Sequence, residues 1–220
     1  IITPLWDVEG LALIREKIAP TYVTLMSPLK KVVETQWFSL KDPSINYVYE
    51  LEKYVIENAD GIMAISQAVA DTIANDYGVD WASLESPLRV IPLGVESNIA
   101  LVDGKASKGN KKKGEVELLY VGRFERRKGI DVLLGAIPAL LKEYPYLSLR
   151  LIGNSDVYDP LGVNFWEEFK KKHKSDEWFS RIRKDGYVTD KELADAYAQC
   201  DIFVAPSRYE SFGLIFIEAM

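Results

Sequence analysis

The chain has 220 residues, 48% hydrophobic and 27% charged, enough apolar material to bury a core, so a chain disordered by composition is excluded. Its apolar runs fall short of the roughly 20 residues that span a bilayer, and residues 1–18 lack a charged segment followed by an apolar one, so a soluble, cytoplasmic protein is expected. The net charge of −6 is uneven, with 7 Lys and Arg against 14 Asp and Glu in residues 1–100 and 20 against 19 in residues 101–220, a balance that argues against nucleic-acid binding.

Short β-branched or aromatic runs alternate with helical patterns, which predicts α/β layers built from βαβ units on mostly parallel sheets. Tyr22–Met26 reads as a strand, Asn46–Asn58 as a helix and Gly61–Ile65 as the next strand. Ser66 then caps a helix running to about Tyr77 and closed by Gly78, and Arg89–Leu93 is a further strand. Residues 103–114 hold no apolar periodicity and are expected to be a linker or loop between two domains, 1–102 and 115–220.

Beyond that boundary the pattern restarts. Val116–Val121 reads as a strand, Gly129–Glu143 as a helix and Ser148–Ile152 as a strand ending at Gly153. A polar helix near Gly162–Lys174 follows, then an extended segment to Val188, a helix from Asp190 through Gln199 and a strand over Ile202–Ala205. The basic runs Lys111–Lys113 and Lys170–Lys174 read as solvated faces, with weak contact to an anionic membrane surface as the alternative. His173, the one histidine, lies in the second run, which argues against a His-based triad or a multi-His metal site. Cys200, the one cysteine, excludes an internal disulfide and reads as core at a helix–strand junction.

Ligands bind open parallel sheets at the carboxyl ends of their strands, and two loops there carry the candidate chemistry. Gly122 ends a strand, and Arg123 and Lys128 flank the turn into the next helix; they could set two cations and a helix start against a diphosphate, or belong to a solvated helix start. The second loop, Ser207–Gly213, leaves a strand and opens a helix, with Gly213 able to admit a ligand close to backbone amides. Glu210 precedes that helix and Glu218 lies on it amid Leu214, Ile215, Phe216 and Ile217. A carboxylate buried there needs a polar partner, unless Glu218 merely borders a surface stripe.

Taken in order, Gly122-Arg123-Phe124 with Lys128-Gly129, Ile152-Gly153, Gly186-Tyr187-Val188 with Leu193, and Ala205-Pro206-Ser207 through Glu218-Ala219-Met220 resemble the second domain of retaining glycosyltransferases of family 4. In the first domain, Ala59–Ser66 and Val90–Glu96 look like that family's closing segments, with Gly94 beside the interdomain crossover. The resemblance implies a GT-B fold of two Rossmann-like parallel sheets with helices on both faces. It implies transfer of a sugar from a nucleotide-diphosphate donor, a UDP- or GDP-sugar, to a glycan, lipid-linked or small-molecule acceptor with retention, and no metal or further cofactor.

By the same resemblance Arg123 and Lys128 would hold the donor diphosphate and neutralise the leaving group, with Gly122 and Gly153 at the strand ends. Glu218 would bond the ribose hydroxyls, Glu210 would meet the donor sugar beside Ser211, Phe212 and Gly213, and Tyr187 and Val188 would meet the base through backbone groups. An oxocarbenium-like transition state with a diphosphate leaving group asks for positioning and electrostatics. Family members often carry a histidine after a Thr-Leu strand end; here Thr24-Leu25 leads to Met26-Ser27. The family's length implies a fragment that begins inside the first domain and stops within the helix of Glu218. A sugar-nucleotide epimerase, a phosphorylase or a non-catalytic nucleotide-binding module are the rival readings.

Overall fold

Alternation of apolar strands with amphipathic helices produces two separate parallel sheets in the computed structural model, which describes residues 1–94 and 114–220. Those residues fall into two compact units, one of Ile1–Gly94 with Tyr209–Phe212, the other of the described part of Val95–Arg208 with Gly213–Met220. The expected linker apart from Gly114, the Val95-Glu96 end of the crossover segment and the Lys111–Lys113 run lie outside the described residues.

In the first unit the sheet runs in chain order, β1 (Ile2–Pro4), β2 (Tyr22–Leu25), β3 (Gly61–Ala64) and β4 (Leu88–Val90), every neighbouring pair parallel. Its helices are α1 (Leu11–Arg15), α2 (Leu29–Gln36), α3 (Pro43–Asn58) and α4 (Gln67–Tyr77). The strand β1 and the helices α1 and α2 go beyond the predicted elements. Helix α3 begins before Asn46 because the Asp42 carboxylate accepts from the amides of Ser44 and Ile45 and Pro43 starts the first turn. Helix α4 has the predicted limits, with the Ser66 hydroxyl accepting from the Val69 amide at 3.1 Å and Gly78 left-handed at φ 66°.

This unit's core joins Val23, Leu25, Ile62 and Ala64 of the strands to Val55, Ile56, Val69 and Ile73 of the helices. A charged residue type sits inside it: Glu52 is 1% exposed. Its carboxyl accepts from the Tyr77 hydroxyl and from the Leu29 amide at 3.2 Å, tying the start of α2 to α3 and α4. Burial pushes the Glu52 carboxyl up to about 7, against the lowering effect of those two bonds.

The second unit holds β5 (Val116–Val121), β6 (Leu147–Ile152), β7 (Ile182–Gly186) and β8 (Ile202–Phe203), all parallel, in the order β7-β6-β5-β8. Its helices are α5 (Ile130–Glu143), α6 (Phe165–His173), α7 (Asp190–Gln199) and α8 (Leu214–Ala219). Successive residues of β5 point to opposite faces, as strand geometry requires. Leu118 and Tyr120 pack with Leu133, Ile137, Trp166 and Phe169 from α5 and α6, whereas Leu119 and Val121 pack with Ala196, Tyr197 and Ala219 from α7 and α8. Helices therefore cover both faces. The expected extended segment before Val188 is present as β7, preceded by a 3-10 turn over Glu177–Arg181, and the strand expected over Ile202–Ala205 is two residues long.

From β5 the chain winds outward through β6 to β7 and then returns to β8 on the other side of β5. That reversal is the switch point at which an open parallel sheet leaves a crevice outside its strand ends. Among the described residues no helix is long and apolar enough to cross a membrane.

Candidate functional site

At the carboxyl edge of the second sheet three glycines end three adjacent strands. The Gly122 amide donates to the Ile152 carbonyl at 3.0 Å, and the Gly153 amide donates to the Gly186 carbonyl at 2.8 Å. Gly153, at φ 129°, has no room for a side chain, because a Cβ would run into the carbonyl of Gly122. Gly122, Gly153 and the Gly186-Tyr187-Val188 turn thus share one edge, with Tyr187 81% exposed and Val188 packed against the cluster that holds Ile152 and Tyr197.

The turn after Gly122 is built around a buried acid. Glu125 is 3% exposed, and its carboxylate accepts from Arg123 Nη2 at 3.0 Å and from Arg127 Nη2 at 2.7 Å. The Arg127 side chain is 11% exposed and that of Arg123 58%, so one guanidinium is packed away and the other reaches solvent from a fixed anchor. The Tyr120 hydroxyl donates to the Arg123 carbonyl at 2.9 Å, and the Phe124 amide donates to the Asn154 carbonyl at 2.8 Å. Lys128 closes the turn through its amide, which donates to the Glu125 carbonyl at 3.0 Å. The two guanidinium bonds to Glu125 are charge-assisted, among the stronger hydrogen bonds in proteins. The sequence pattern points to Arg123 and Lys128 but not to Glu125, because nothing in Phe124-Glu125-Arg126 says that the acid turns inward.

The apolar run around Glu218 is only partly buried, with Phe216 and Ile217 42% and 44% exposed on the short helix α8. The carboxylate finds its polar partner within the chain, accepting from the Tyr197 hydroxyl of α7 at 3.0 Å. Burial first, and the adjoining Glu218 charge second, push the Tyr197 phenol well up, so it stays a donor. One Glu218 oxygen is accounted for by that bond. Tyr197 itself packs in the cluster that holds Val188 and Ala219, which fixes α8 against the Tyr187-Val188 side of the sheet edge.

Glu210, Ser211 and Phe212 belong with the first unit and Gly213 with the second. Ser211 Oγ lies 2.5 Å from Ser27 Oγ, just after β2, and Phe212 packs against the first unit's core. Gly213 is left-handed at φ 78° and opens α8. The second unit accordingly brings together Gly122, Arg123, Lys128, Gly153, Tyr187, Val188 and, through Tyr197, Glu218. Met26, which follows the Thr24-Leu25 strand end, is 40% exposed.

Residues 103–220 match the family model described as glycosyl transferases group 1. The chain is 32% identical over 177 residues to the D-inositol 3-phosphate glycosyltransferase of Kineococcus radiotolerans, covering 76% of this chain and 39% of that protein. It is 28% identical over 174 residues to the mannosylfructose-phosphate synthase of Agrobacterium fabrum, covering 77% of this chain and 37% of that protein. It therefore spans less than half the length of either relative. Among solved structures, sucrose-phosphate synthase from Thermosynechococcus elongatus superposes with a TM-score of 0.72 at 25% identity, over all of this chain and 53% of that one. The Anabaena HepE protein in complex with UDP and glucose superposes with a TM-score of 0.64 at 20% identity, over 96% of this chain and 52% of that one, a likeness of fold. With its two parallel α/β sheets matching GT-B structures and more than half its length matching the family model, the chain belongs to the glycosyl transferases group 1 family.

Proposed function

We propose that the protein containing this chain transfers a sugar from a nucleotide-diphosphate donor to an acceptor with retention of anomeric configuration, and that the second unit holds the donor. The observation that carries this reading is the Glu125-anchored turn, which projects the Arg123 guanidinium from the carboxyl edge of the sheet, next to the strand-order reversal at β5. A diphosphate carries the charge such a cation neutralises, and the exposed fork suits phosphate oxygens.

In this reading Arg123 and Lys128 hold the diphosphate and stabilise it as the leaving group. Glu218, oriented by Tyr197, accepts from the ribose hydroxyls with its remaining lone pairs. The backbone at Tyr187 and Val188 meets the base, with Gly122 and Gly153 leaving space at the strand ends. Glu210 meets the donor sugar, with Ser211 and the Phe212 and Gly213 amides beside it. Bond breaking then rests on preorganised charge around a departing diphosphate rather than on an added metal. UDP-linked or GDP-linked donors fit the family, consistent with a UDP complex of a structural neighbour; the acceptor is a glycan, a lipid-linked sugar or a small molecule, acted on without nucleic acid.

The test is incubation of the full-length protein with labelled UDP- and GDP-hexoses and a panel of acceptors, read by product isolation and by the anomeric coupling of the new glycoside. Free nucleoside diphosphate matched by a glycoside of the donor's anomeric configuration is expected. An inverted product would overturn retention, and nucleotide release without any glycoside would favour an epimerase or phosphorylase over a transferase.

A further inference from the structure

The segment that leads from β8 toward Glu210 is fastened to the start of α5 at a point the proposed donor contacts do not use. Arg208 Nη1 and Nη2 donate to the two carboxylate oxygens of Asp131 at 2.6 and 2.8 Å, a bidentate pair across 77 positions of sequence. Nη1 also donates to the Arg126 carbonyl at 2.6 Å, and the Arg208 amide donates to the Arg127 carbonyl at 2.9 Å. Two residues earlier the Pro206 carbonyl lies so close to Gly129 that a Cβ there would collide with it, and Gly129 is left-handed at φ 70°. Four ties thus join residues 206–208 to residues 126–131, the turn immediately following Arg123 and Glu125.

We infer that Arg208 and Asp131 are positioning residues that lock the loop after β8, residues 206–208, onto the Arg126–Asp131 turn, so that this loop braces from behind the turn that carries Arg123 and Lys128. The pair is built for geometry more than for stability. An ion pair at the surface, here with side chains 29% and 21% exposed, adds little to global folding. A planar fork that also caps a backbone carbonyl instead fixes direction. Because catalysis falls steeply with small misplacements of a positioned group, loosening this tie is expected in turnover before it is expected in melting temperature. The consequence for turnover rests on the proposed transferase reading, whereas the mechanical tie does not.

Both parts are tested in the full-length protein with Arg208→Ala, Asp131→Ala, Arg208→Lys and the double alanine variant. Amide hydrogen exchange should rise about tenfold in peptides covering 206–213 and 126–131 in each single alanine variant, with no further rise in the double variant, since one tie is removed in both cases. Arg208→Lys, which keeps the charge but not the fork, should behave like the alanine variant. With the best donor found, kcat should fall about tenfold or more while the KM for donor and the melting temperature change little. Unchanged exchange in both segments overturns the tie. Raised exchange with unchanged kcat overturns its role in positioning. A wild-type protein that transfers no sugar sinks the transferase reading and leaves the exchange result to judge the tie alone.

Discussion

Each unit buries an acid, Glu52 in the first and Glu125 in the second, and the two are kept by opposite means. Glu52 is met by a tyrosine hydroxyl and a backbone amide, neutral donors deep among apolar side chains, and its carboxyl is pushed up to about 7. Glu125 is met by two guanidiniums at a strand end, one of them packed and the other reaching solvent. The first arrangement closes on itself and ties three helices together. The second uses burial to aim a charge outward. An acid held by neutral groups is therefore a piece of the core, and an acid held by cations near a sheet edge is a support for a site.

Neutralising each acid without changing its shape should have opposite effects on stability. Glu125→Gln leaves Arg123 and Arg127 without their counter-charge and should destabilise the protein by about 3 kcal/mol in chemical denaturation, the usual cost of opening a buried pair. Glu52→Gln should do the reverse at alkaline pH. A carboxyl with a raised pKa keeps its proton where the unfolded chain has released it, so its contribution to stability declines as pH rises from 4.5 toward about 7. The glutamine variant escapes that decline and should gain up to about 3 kcal/mol over wild type at pH 8, with the gain shrinking toward zero near pH 4.5. A pH-independent loss in Glu52→Gln would mean that the carboxyl is ionised in the core.

A smaller effect tests the backbone of the second site. Gly129→Ala adds a Cβ against the Pro206 carbonyl and strains a left-handed residue, and should cost about 2 kcal/mol. The same change at Gly78, also left-handed but with nothing within 4 Å of a Cβ, should cost only about 1 kcal/mol. Equal losses at the two glycines would show that the contact with Pro206 adds nothing.

Much of the fold was legible because its signals are local. Val116–Val121 is an apolar run bounded by Gly122, and Asp190–Gln199 opens on a capping box in which Thr189 and Glu192 satisfy each other's amides. The early start of α3 was written in Asp42-Pro43, but the apolar spacing that marks a helix begins later. Strand β1 is only three residues long and carries too little pattern to stand out. At the site, Arg123, Lys128 and Glu218 stood out by charge against an apolar background. Their supports did not. Glu125, Tyr197 and the Arg208–Asp131 pair act through contacts with residues that the sequence gives no reason to join, and no single-chain periodicity encodes such pairings.

The most direct test of the donor-site claim is calorimetric titration of the full-length wild type, Arg123→Ala and Glu52→Gln with UDP and GDP at one pH. Wild type should bind one of the two, Arg123→Ala should bind it about tenfold or more weakly, equivalent to about 1.4 kcal/mol or more, and Glu52→Gln should match wild type. Equal affinity in wild type and Arg123→Ala would contradict a diphosphate site built on the Glu125-anchored arginine.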